Sequence, residues 1–238
     1  MIPKKVHYCW FGAAQKSKLI EKCIASWRNN LPDYEIIEWN ETNCDIENSC
    51  QFVKQAYAEK KWAYVSDYFR LKALSEHGGI YLDTDVEVIK PFDGLLENDF
   101  FCCFESEGYL CTAVLGSAPG QTIIENFLQS YEDREFSQVP NSKLLFDFLI
   151  GEREYDIDND LQLDEHCVIL SVDSFSPKDF YTKRINLTEK TYAVHHFDGT
   201  WKSKGHKFKD GFQNFLIKII GKEKYFSLKR KVKHNDNK

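Results

Sequence analysis

The chain has 238 residues, of which 42% are hydrophobic and 15% aromatic, so it can build one full-sized globular core. No apolar run approaches the roughly 20 residues of a membrane-spanning helix, and residues 1–5 lack the apolar core of a signal peptide. We therefore expect a cytoplasmic protein. The net charge of −6 is uneven, because residues 214–238 carry +6 and residues 1–213 carry −12. An acidic body argues against nucleic acid as a partner.

Eight cysteines are spread along the chain without the C-x-x-C or Cys/His spacing that is typical of zinc sites. The absence of a secretion signal gives no support for disulfides either. We therefore predict that most of the cysteines are small, buried hydrophobic residues.

The first elements predict the start of a parallel sheet. A buried strand over residues 6–11 is followed by an amphipathic helix over 17–29, a break at Pro32 and a second strand over 34–39. In such sheets ligands bind beyond the carboxyl ends of the strands, and Trp10 stands at one of these ends. Trp10 could stack on a nucleotide base or pack in the core; the residue pattern leaves both open.

The stretch over residues 62–91 carries the strongest signal. A helix is predicted to end at Gly78, and the apolar residues 80–82 then form a short buried strand that leads into Asp83 and Asp85. In an extended chain, residues i and i+2 project to the same side, so the two carboxylates can converge. Two adjacent anions repel each other, and Mg²⁺ or Mn²⁺ is the natural ion to lie between them.

A D-x-D pair alone is weak evidence, but a second pair of charges precedes it. Asp67 and Arg70 lie three residues apart, on one face of the preceding helix. One interpretation is a surface ion pair worth less than about 1 kcal/mol. The other is a helix face that binds the hydroxyl groups of a sugar.

The combined motifs resemble glycosyltransferase family 32, which includes bacterial capsular-polysaccharide transferases and yeast-type mannosyltransferases. The resemblance rests on S-D-x-x-R over residues 66–70, on G-G-I-Y-L-D-x-D over 78–85 and on the opening IPKKVHYCWFG. It is strong over about residues 1–118 and is shared with the glucosyltransferase domains of large clostridial toxins.

This resemblance implies an α/β fold of the GT-A type, with a mainly parallel, Rossmann-like sheet flanked by helices. It also implies a metal-dependent transfer of a hexose from a nucleotide-sugar, UDP favoured over GDP, to a glycan or lipid-linked glycan acceptor. Capsular or other surface polysaccharide synthesis, in a bacterium, is the expected setting. The anomeric configuration is expected to be retained, and both a double displacement and a front-face route stay open.

The resemblance also implies roles for single residues. Asp85 would bind Mn²⁺ or Mg²⁺, and Asp83 would bridge the ribose and the donor sugar or assist the metal. Asp67 and Arg70 would hold sugar hydroxyls, with Arg70 also near the diphosphate. The nucleotide-sugar would further contact Trp10 and Tyr81.

The rest of the chain predicts further elements of the same fold. Helices are expected over residues 120–131 and 142–150, and the acidic stretch 151–165 is expected to be a surface loop. The predicted strands cover residues 100–104, 111–116 and 168–172, with Glu105, Ser106 and Glu107 in the turn between the first two.

A strand over residues 191–194 leads into two adjacent histidines. The segment resembles the H-x-x-x-(S/T)-W ending of the family, which makes His196 the metal-ligand candidate. By the same resemblance Thr200 and Trp201 cover the donor phosphates. His195 points to the opposite face of a strand and is interpreted as a packing residue.

The C-terminal residues 214–238 alternate apolar side chains with lysines and form a basic amphipathic tail after a catalytic domain over 1–213. Such a tail is typical of contact with the inner face of a membrane. A helix that docks on the body is the alternative.

Two other functions have to be considered. A haloacid-dehalogenase-type phosphatase also places D-x-D after an apolar strand and would use Asp83 as the nucleophile, but no later G-D-x-x-x-D segment completes its Mg²⁺ site. A non-catalytic nucleotide-sugar-binding protein is the third possibility. The presence of all four charged residues, Asp67, Arg70, Asp83 and Asp85, argues against it.

Overall fold

The computed structural model describes residues 1–199 together with Ile217 and Gly221. The chain forms two compact units, the first of which contains Met1–Pro177 and Asn186–His196. The second contains Lys178–Ile185, whose ends are joined by an antiparallel bridge, and begins again at Phe197. The predicted boundary between residues 213 and 214, Thr200, Trp201 and, apart from Ile217 and Gly221, the basic tail lie outside the described residues.

Helices and strands alternate through the first unit. The helices are α1 (Lys18–Asn30), α2 (Gln51–Ala58), α3 (Trp62–His77), α4 (Thr122–Glu132) and α5 (Asn141–Leu149). The strands are β1 (Lys5–Cys9), β2 (Glu35–Trp39), β3 (Gly79–Leu82), β4 (Val86–Val88), β5 (Phe100–Ser106), β6 (Tyr109–Ser117), β7 (Leu161–Gln162), β8 (Cys167–Leu170) and β9 (Ala193–His195).

Seven strands form one sheet in the order β2-β1-β3-β6-β5-β8-β7, and β4 pairs with β9 in a separate antiparallel ribbon. Five strands of the large sheet run in one direction, while β6 and β7 run against them. The α/β fold with a mostly parallel sheet is therefore confirmed. The centre of the sheet also contains an antiparallel hairpin, β5–β6, which delivers its own side chains to the edge where β3 ends.

Apolar side chains fill the space on both faces of this sheet. One cluster packs against α2 to α5, and the other packs against α1 and the β4–β9 ribbon. Alternation along β5 places Cys102 in the first cluster and Cys103 in the second. All eight cysteines are buried and reduced, as the sequence predicts.

Helix α3 is more deeply buried than a one-sided amphipathic helix would be. Its buried side chains include Asp67 and Arg70, because α2 and α4 cover its outer side while β1, β3 and β6 lie beneath it. The helix ends at Gly78, which has a φ of +59°. At Gly79, with a φ of +111°, a Cβ atom would lie 2.8 Å from the Lys5 carbonyl oxygen. The glycine pair therefore lets β3 lie directly beside β1.

The hairpin differs from the prediction in one respect that affects the site. Strand β5 continues to Ser106 and pairs there with Tyr109, so Glu105 belongs to the strand and not to the turn. The predicted loop over 151–165 also contains the short strand β7, which pairs with β8 at the sheet edge.

No helix in the described part of the chain is both long and apolar enough to span a bilayer. Membrane contact through the basic tail stays a prediction.

His7 on β1 is fully buried and uses both ring nitrogens. Its Nε2 lies 2.8 Å from the Gly78 carbonyl oxygen, and the Trp39 indole N–H donates to its Nδ1 at 3.1 Å. A ring that donates from Nε2 and accepts at Nδ1 is neutral. Burial, with His77 and Lys5 nearby, lowers the pKa of His7 to about 4, against the opposing effect of the Gly78 carbonyl.

This arrangement predicts a loss of stability in acid. Below pH 6.5 the unfolded chain protonates His7 whereas the folded chain does not, so the stabilisation present at neutral pH is lost as the pH falls towards 4. The shift corresponds to about 3 kcal/mol. Urea unfolding of the wild type and of His7→Gln, measured at several pH values, isolates this contribution. The free energy of unfolding of the wild type, relative to that of His7→Gln, should fall by about 3 kcal/mol between pH 7 and pH 4. A difference between the two proteins that does not change with pH would contradict the lowered pKa of His7.

Candidate active site

The two aspartates of the D-x-D motif lie in a tight turn at the end of β3. The Asp83 N–H donates to the Ala113 carbonyl at 2.8 Å, and the Val86 N–H donates back to the Asp83 carbonyl at 3.0 Å. The sequence predicts an extended chain over these residues, whereas the structure has a turn. The carboxylates nevertheless converge, since ligand atoms of Asp83, Asp85 and His195 all lie within 4.8 Å of one another.

Arg70 connects helix α3 to this turn. Its Nη2 lies 2.9 Å from Asp67 Oδ1 and 3.2 Å from Asp83 Oδ1, while Nη1 donates to the Thr112 carbonyl at 2.7 Å. The Arg70 and Asp67 side chains are only 5% and 11% exposed. The alternative of an ordinary surface ion pair is therefore wrong. Within this network Arg70 positions the Asp83 carboxylate.

Burial also shifts the protonation equilibria of this pair. It raises the pKa of Asp67 to about 7, with a further rise from Asp83 and an opposing effect of Arg70. For Arg70 burial acts against the charge, but Asp83, Tyr81 and Asp67 outweigh it and hold its pKa above the usual value. The guanidinium therefore stays charged and supplies the fixed positive charge of the site.

Tyr81 also holds the Asp83 carboxylate in place. It is 1% exposed, its hydroxyl donates to Asp83 Oδ1 at 2.9 Å, and the Arg70 guanidinium carbon lies 4.6 Å from the centre of its ring. Two donors, one from Tyr81 and one from Arg70, thus hold one oxygen of Asp83. The structure places Tyr81 as a support of Asp83.

The two histidines lie differently from the prediction. Strand β9 pairs with β4 so that His195 is opposite Val86, and His195 Nε2 lies 3.6 Å from Asp85 Oδ1. His196 points to the other side of the ribbon, where its Nε2 lies 2.8 Å from Glu87 Oε2. The sequence made His196 the metal-ligand candidate and His195 a packing residue. In the structure the register brings His195, and not His196, to the D-x-D turn, and metal binding by either histidine stays a prediction.

Trp10 lies just past the end of β1 and is partly buried. Its indole N–H donates to the Ala14 carbonyl at 2.8 Å, and Lys16 Nζ lies 5.2 Å from the centre of its ring. The ring therefore stands at the carboxyl edge of the sheet, as expected from the strand order.

Two residues near the turn carry chemistry that the sequence analysis did not assign. Glu105 Oε1 lies 3.4 Å from His195 Nδ1, and Cys111 on β6 lies beside both. Burial raises the pKa of Glu105. For His195 burial lowers the pKa, but Asp85, Cys111 and Glu105 together raise it well above the usual value. An acidic residue at the end of a buried apolar strand was the signal available for Glu105.

The donor set of the turn fits a divalent cation. Two carboxylates and an imidazole, all within 4.8 Å of one another, are ligands that Mn²⁺ accepts, and carboxylates suit Mg²⁺ as well. The side chains of Asp85 and His195 are 15% and 13% exposed, which leaves access from solvent.

Comparison with known proteins agrees with this geometry. Residues 17–101 match the family model of the glycosyltransferase sugar-binding region containing the DXD motif. Glucan organizing enzyme 1 of Cryptococcus neoformans is 38% identical over 84 residues, which are 31% of this chain and 23% of that protein. The human alpha-1,4-N-acetylglucosaminyltransferase is 32% identical over 81 residues, 32% of this chain and 23% of that protein. The chain thus spans about a quarter of the length of these curated relatives.

Among solved structures, the PaToxG glycosyltransferase superposes with a TM-score of 0.51 at 19% identity, over 63% of this chain and 70% of that one. These findings confirm the predicted resemblance over this part of the chain. Residues 17–101 are therefore similar to the sugar-binding region of the DXD glycosyltransferases, and the chain has a fold of the GT-A type.

Proposed function

We propose that this chain is a metal-dependent glycosyltransferase that moves a hexose from a nucleotide-sugar to a glycan acceptor. The observation that carries the proposal is that ligand atoms of Asp83, Asp85 and His195 lie close together. The Asp83 carboxylate of this group is held in place by Tyr81 and Arg70. A site of this kind gathers negative charge at one point, and a divalent cation bound there offsets it and can then bind the diphosphate of the donor.

The finer features of the proposal rest on the family resemblance. We propose UDP as the favoured nucleotide and transfer with retention of the anomeric configuration. The proposed acceptor is a glycan or lipid-linked glycan of a capsular or other surface polysaccharide, which the basic tail helps the chain to reach at the inner face of the membrane.

Each residue of the site has a separate task in this proposal. A divalent cation held by Asp85, with His195 and Asp83 beside it, would supply the positive charge that offsets charge on the leaving diphosphate. Arg70 and Tyr81 fix Asp83 so that its free oxygen is presented to the donor. Asp67 holds Arg70 in place and can itself accept hydrogen bonds from sugar hydroxyls only through its small exposed part. The preorganised network reduces the rearrangement that donor binding requires.

The phosphatase alternative needs Asp83 as a free nucleophile. In the structure Asp83 Oδ1 accepts from the Tyr81 hydroxyl and lies next to Arg70 Nη2, which withdraws charge from the carboxylate. A carboxylate held in this way is a better ligand than nucleophile, and the matched family is a glycosyltransferase family. The proposal of a transferase is therefore preferred.

A panel of UDP- and GDP-sugars tests the function. With Mn²⁺ present, the chain should slowly hydrolyse one donor, because water replaces the missing acceptor, and EDTA should abolish this turnover. The same assay, run over a range of Mn²⁺ concentrations, shows which of the two histidines binds the cation. His195→Ala should weaken the apparent Mn²⁺ affinity by about 10- to 100-fold, while His196→Ala, the matched control on the opposite face of the ribbon, should change it little.

Either of two results would count against the proposal. Turnover that is insensitive to EDTA would show that the reaction does not need a cation. Equal losses of Mn²⁺ affinity in the two histidine variants would show that His195 is not a ligand of the cation. Hydrolysis of a simple phosphomonoester without any turnover of nucleotide-sugars would favour the phosphatase.

A further inference from the structure

A second group of metal-ligand side chains lies on the inner side of the D-x-D turn. Ligand atoms of Glu105, Cys111 and His195 all lie within 4.8 Å of one another. They come from three strands: β5 and β6 form one hairpin, and β9 comes much later in the sequence. The proposed sugar transfer uses His195 but assigns no task to Cys111 or Glu105.

A further thiol lies beside the cysteine of this group. Cys103 lies directly opposite Cys111 in the β5–β6 hairpin, and its thiol donates to the Phe104 carbonyl at 3.1 Å. Both cysteines are fully buried, whereas the side chains of His195 and Glu105 are 13% and 19% exposed. The sulfur end of the cluster is thus dry and the imidazole end open, which provides an entry path for an ion.

The chemistry of these donors differs from that of the D-x-D turn. Thiolate sulfur is a soft ligand that selects Zn²⁺ and similar ions, while Mg²⁺ and Mn²⁺ prefer oxygen. Cysteine, histidine and glutamate are all established zinc ligands, and zinc in proteins commonly takes four. We propose that Cys111, Glu105 and His195 form a second cation site, with the fourth position open to water, specific for Zn²⁺ or another thiophilic divalent ion.

This second site shares one ring with the proposed catalytic cation site, and this part of the inference rests on the proposed function. His195 Nδ1 faces Glu105 Oε1 at 3.4 Å, and Nε2 faces Asp85 Oδ1 at 3.6 Å. A neutral imidazole carries one proton, so a metal on Nδ1 forces that proton onto Nε2. A ring protonated at Nε2 cannot ligate the cation beside Asp85. Zinc in the second site therefore inhibits the Mn²⁺-dependent reaction.

Cobalt(II) makes the site visible, because a cobalt–thiolate bond gives an intense charge-transfer absorption that oxygen and nitrogen ligands do not give. The whole chain is titrated with Co²⁺ under a phosphine reductant, which keeps the Cys103–Cys111 pair reduced. We expect the band to saturate near one equivalent and to disappear when Zn²⁺ is added. Cys111→Ser should abolish the band. Cys102→Ser, which changes a buried cysteine on β5 that faces the other side of the sheet, should leave it intact.

Glu105→Gln covers the case in which Cys111→Ser does not fold, as circular dichroism would reveal. Loss of this carboxylate should weaken Co²⁺ binding about tenfold or more while keeping the thiolate band. A band that persists in folded Cys111→Ser, or the absence of any band in the wild type, would overturn the proposal.

The absorption does not depend on turnover, so it separates this inference from the proposed function. A saturable band in a chain that hydrolyses no nucleotide-sugar would support the second site and count against the transferase. Where turnover is present, micromolar Zn²⁺ should inhibit the wild type and inhibit Cys111→Ser much less. Equal inhibition of both would refute the shared-ring coupling.

Discussion

Replacing Asp85 by asparagine is expected to reduce Mn²⁺-dependent turnover of the nucleotide-sugar by about a hundredfold or more. The substitution keeps the size of the side chain but removes one negative charge from the group of ligands formed with Asp83 and His195. Stabilisation of a leaving group by a cation is worth several kcal/mol, and each 1.36 kcal/mol corresponds to about a factor of ten in rate. Initial rates of donor hydrolysis, measured over a range of Mn²⁺ concentrations, test this expectation.

Asp147→Asn provides the matched control for this experiment. Asp147 is an exposed carboxylate on α5 that pairs with Lys143 on the helix surface, so the loss of its charge should leave turnover unchanged. Full activity of Asp85→Asn at every Mn²⁺ concentration would show that the cation is held elsewhere.

Replacing Arg70 by alanine is expected to destabilise the fold by about 3–5 kcal/mol, the usual result of removing one partner from a buried ion pair. The substitution leaves Asp67 and Asp83 without their shared cation and the Thr112 carbonyl without its donor. Lys72→Ala on the same helix, where an exposed lysine pairs with Glu76, should cost less than about 1 kcal/mol. Urea unfolding of the three proteins makes the comparison.

The Arg70→Ala variant should also respond to pH in a defined direction. The pKa of Asp67 is already raised by burial to about 7, and it rises further when the opposing arginine is removed. A carboxyl group whose pKa is raised in the folded state stabilises the protein when protonated, and this stabilisation is lost as the pH rises. The loss in free energy of unfolding caused by Arg70→Ala should therefore be smaller at pH 5 than at pH 8. A cost that is small and independent of pH would mean that Arg70 is not the charge that balances this site.

The order of the elements and the position of the D-x-D turn could be read from local patterns. Periodicity, the glycine pair at residues 78 and 79 and the strand–helix–strand opening each depend on neighbours in sequence. The surroundings of α3 could not be predicted in the same way. Its polar residues Asp67 and Arg70 look like surface residues until the covering by α2 and α4 is known.

The histidines show where local reasoning fails. Alternation predicts that only one of His195 and His196 faces the aspartates, but which one depends on the register between β9 and β4. The pairing of Val86 with His195, more than 100 residues apart in sequence, determines which histidine faces the aspartates, and no local pattern predicts that pairing. The cysteines raise the same difficulty: Cys111 shows no zinc spacing in the sequence because its neighbours Glu105 and His195 come from separate strands.

The support of Asp83 by two donors has a consequence for ion selectivity. With Oδ1 engaged by Tyr81 and Arg70, the carboxylate offers only its other oxygen and so binds in a monodentate manner. Ca²⁺ favours bidentate carboxylates and six to eight oxygen ligands in a flexible shell, whereas Mg²⁺ keeps several waters in an octahedron and needs few protein ligands. On the proposed function, the single free oxygen of Asp83 therefore discriminates against the larger ion, because it denies Ca²⁺ a ligand before any difference in ionic size is considered.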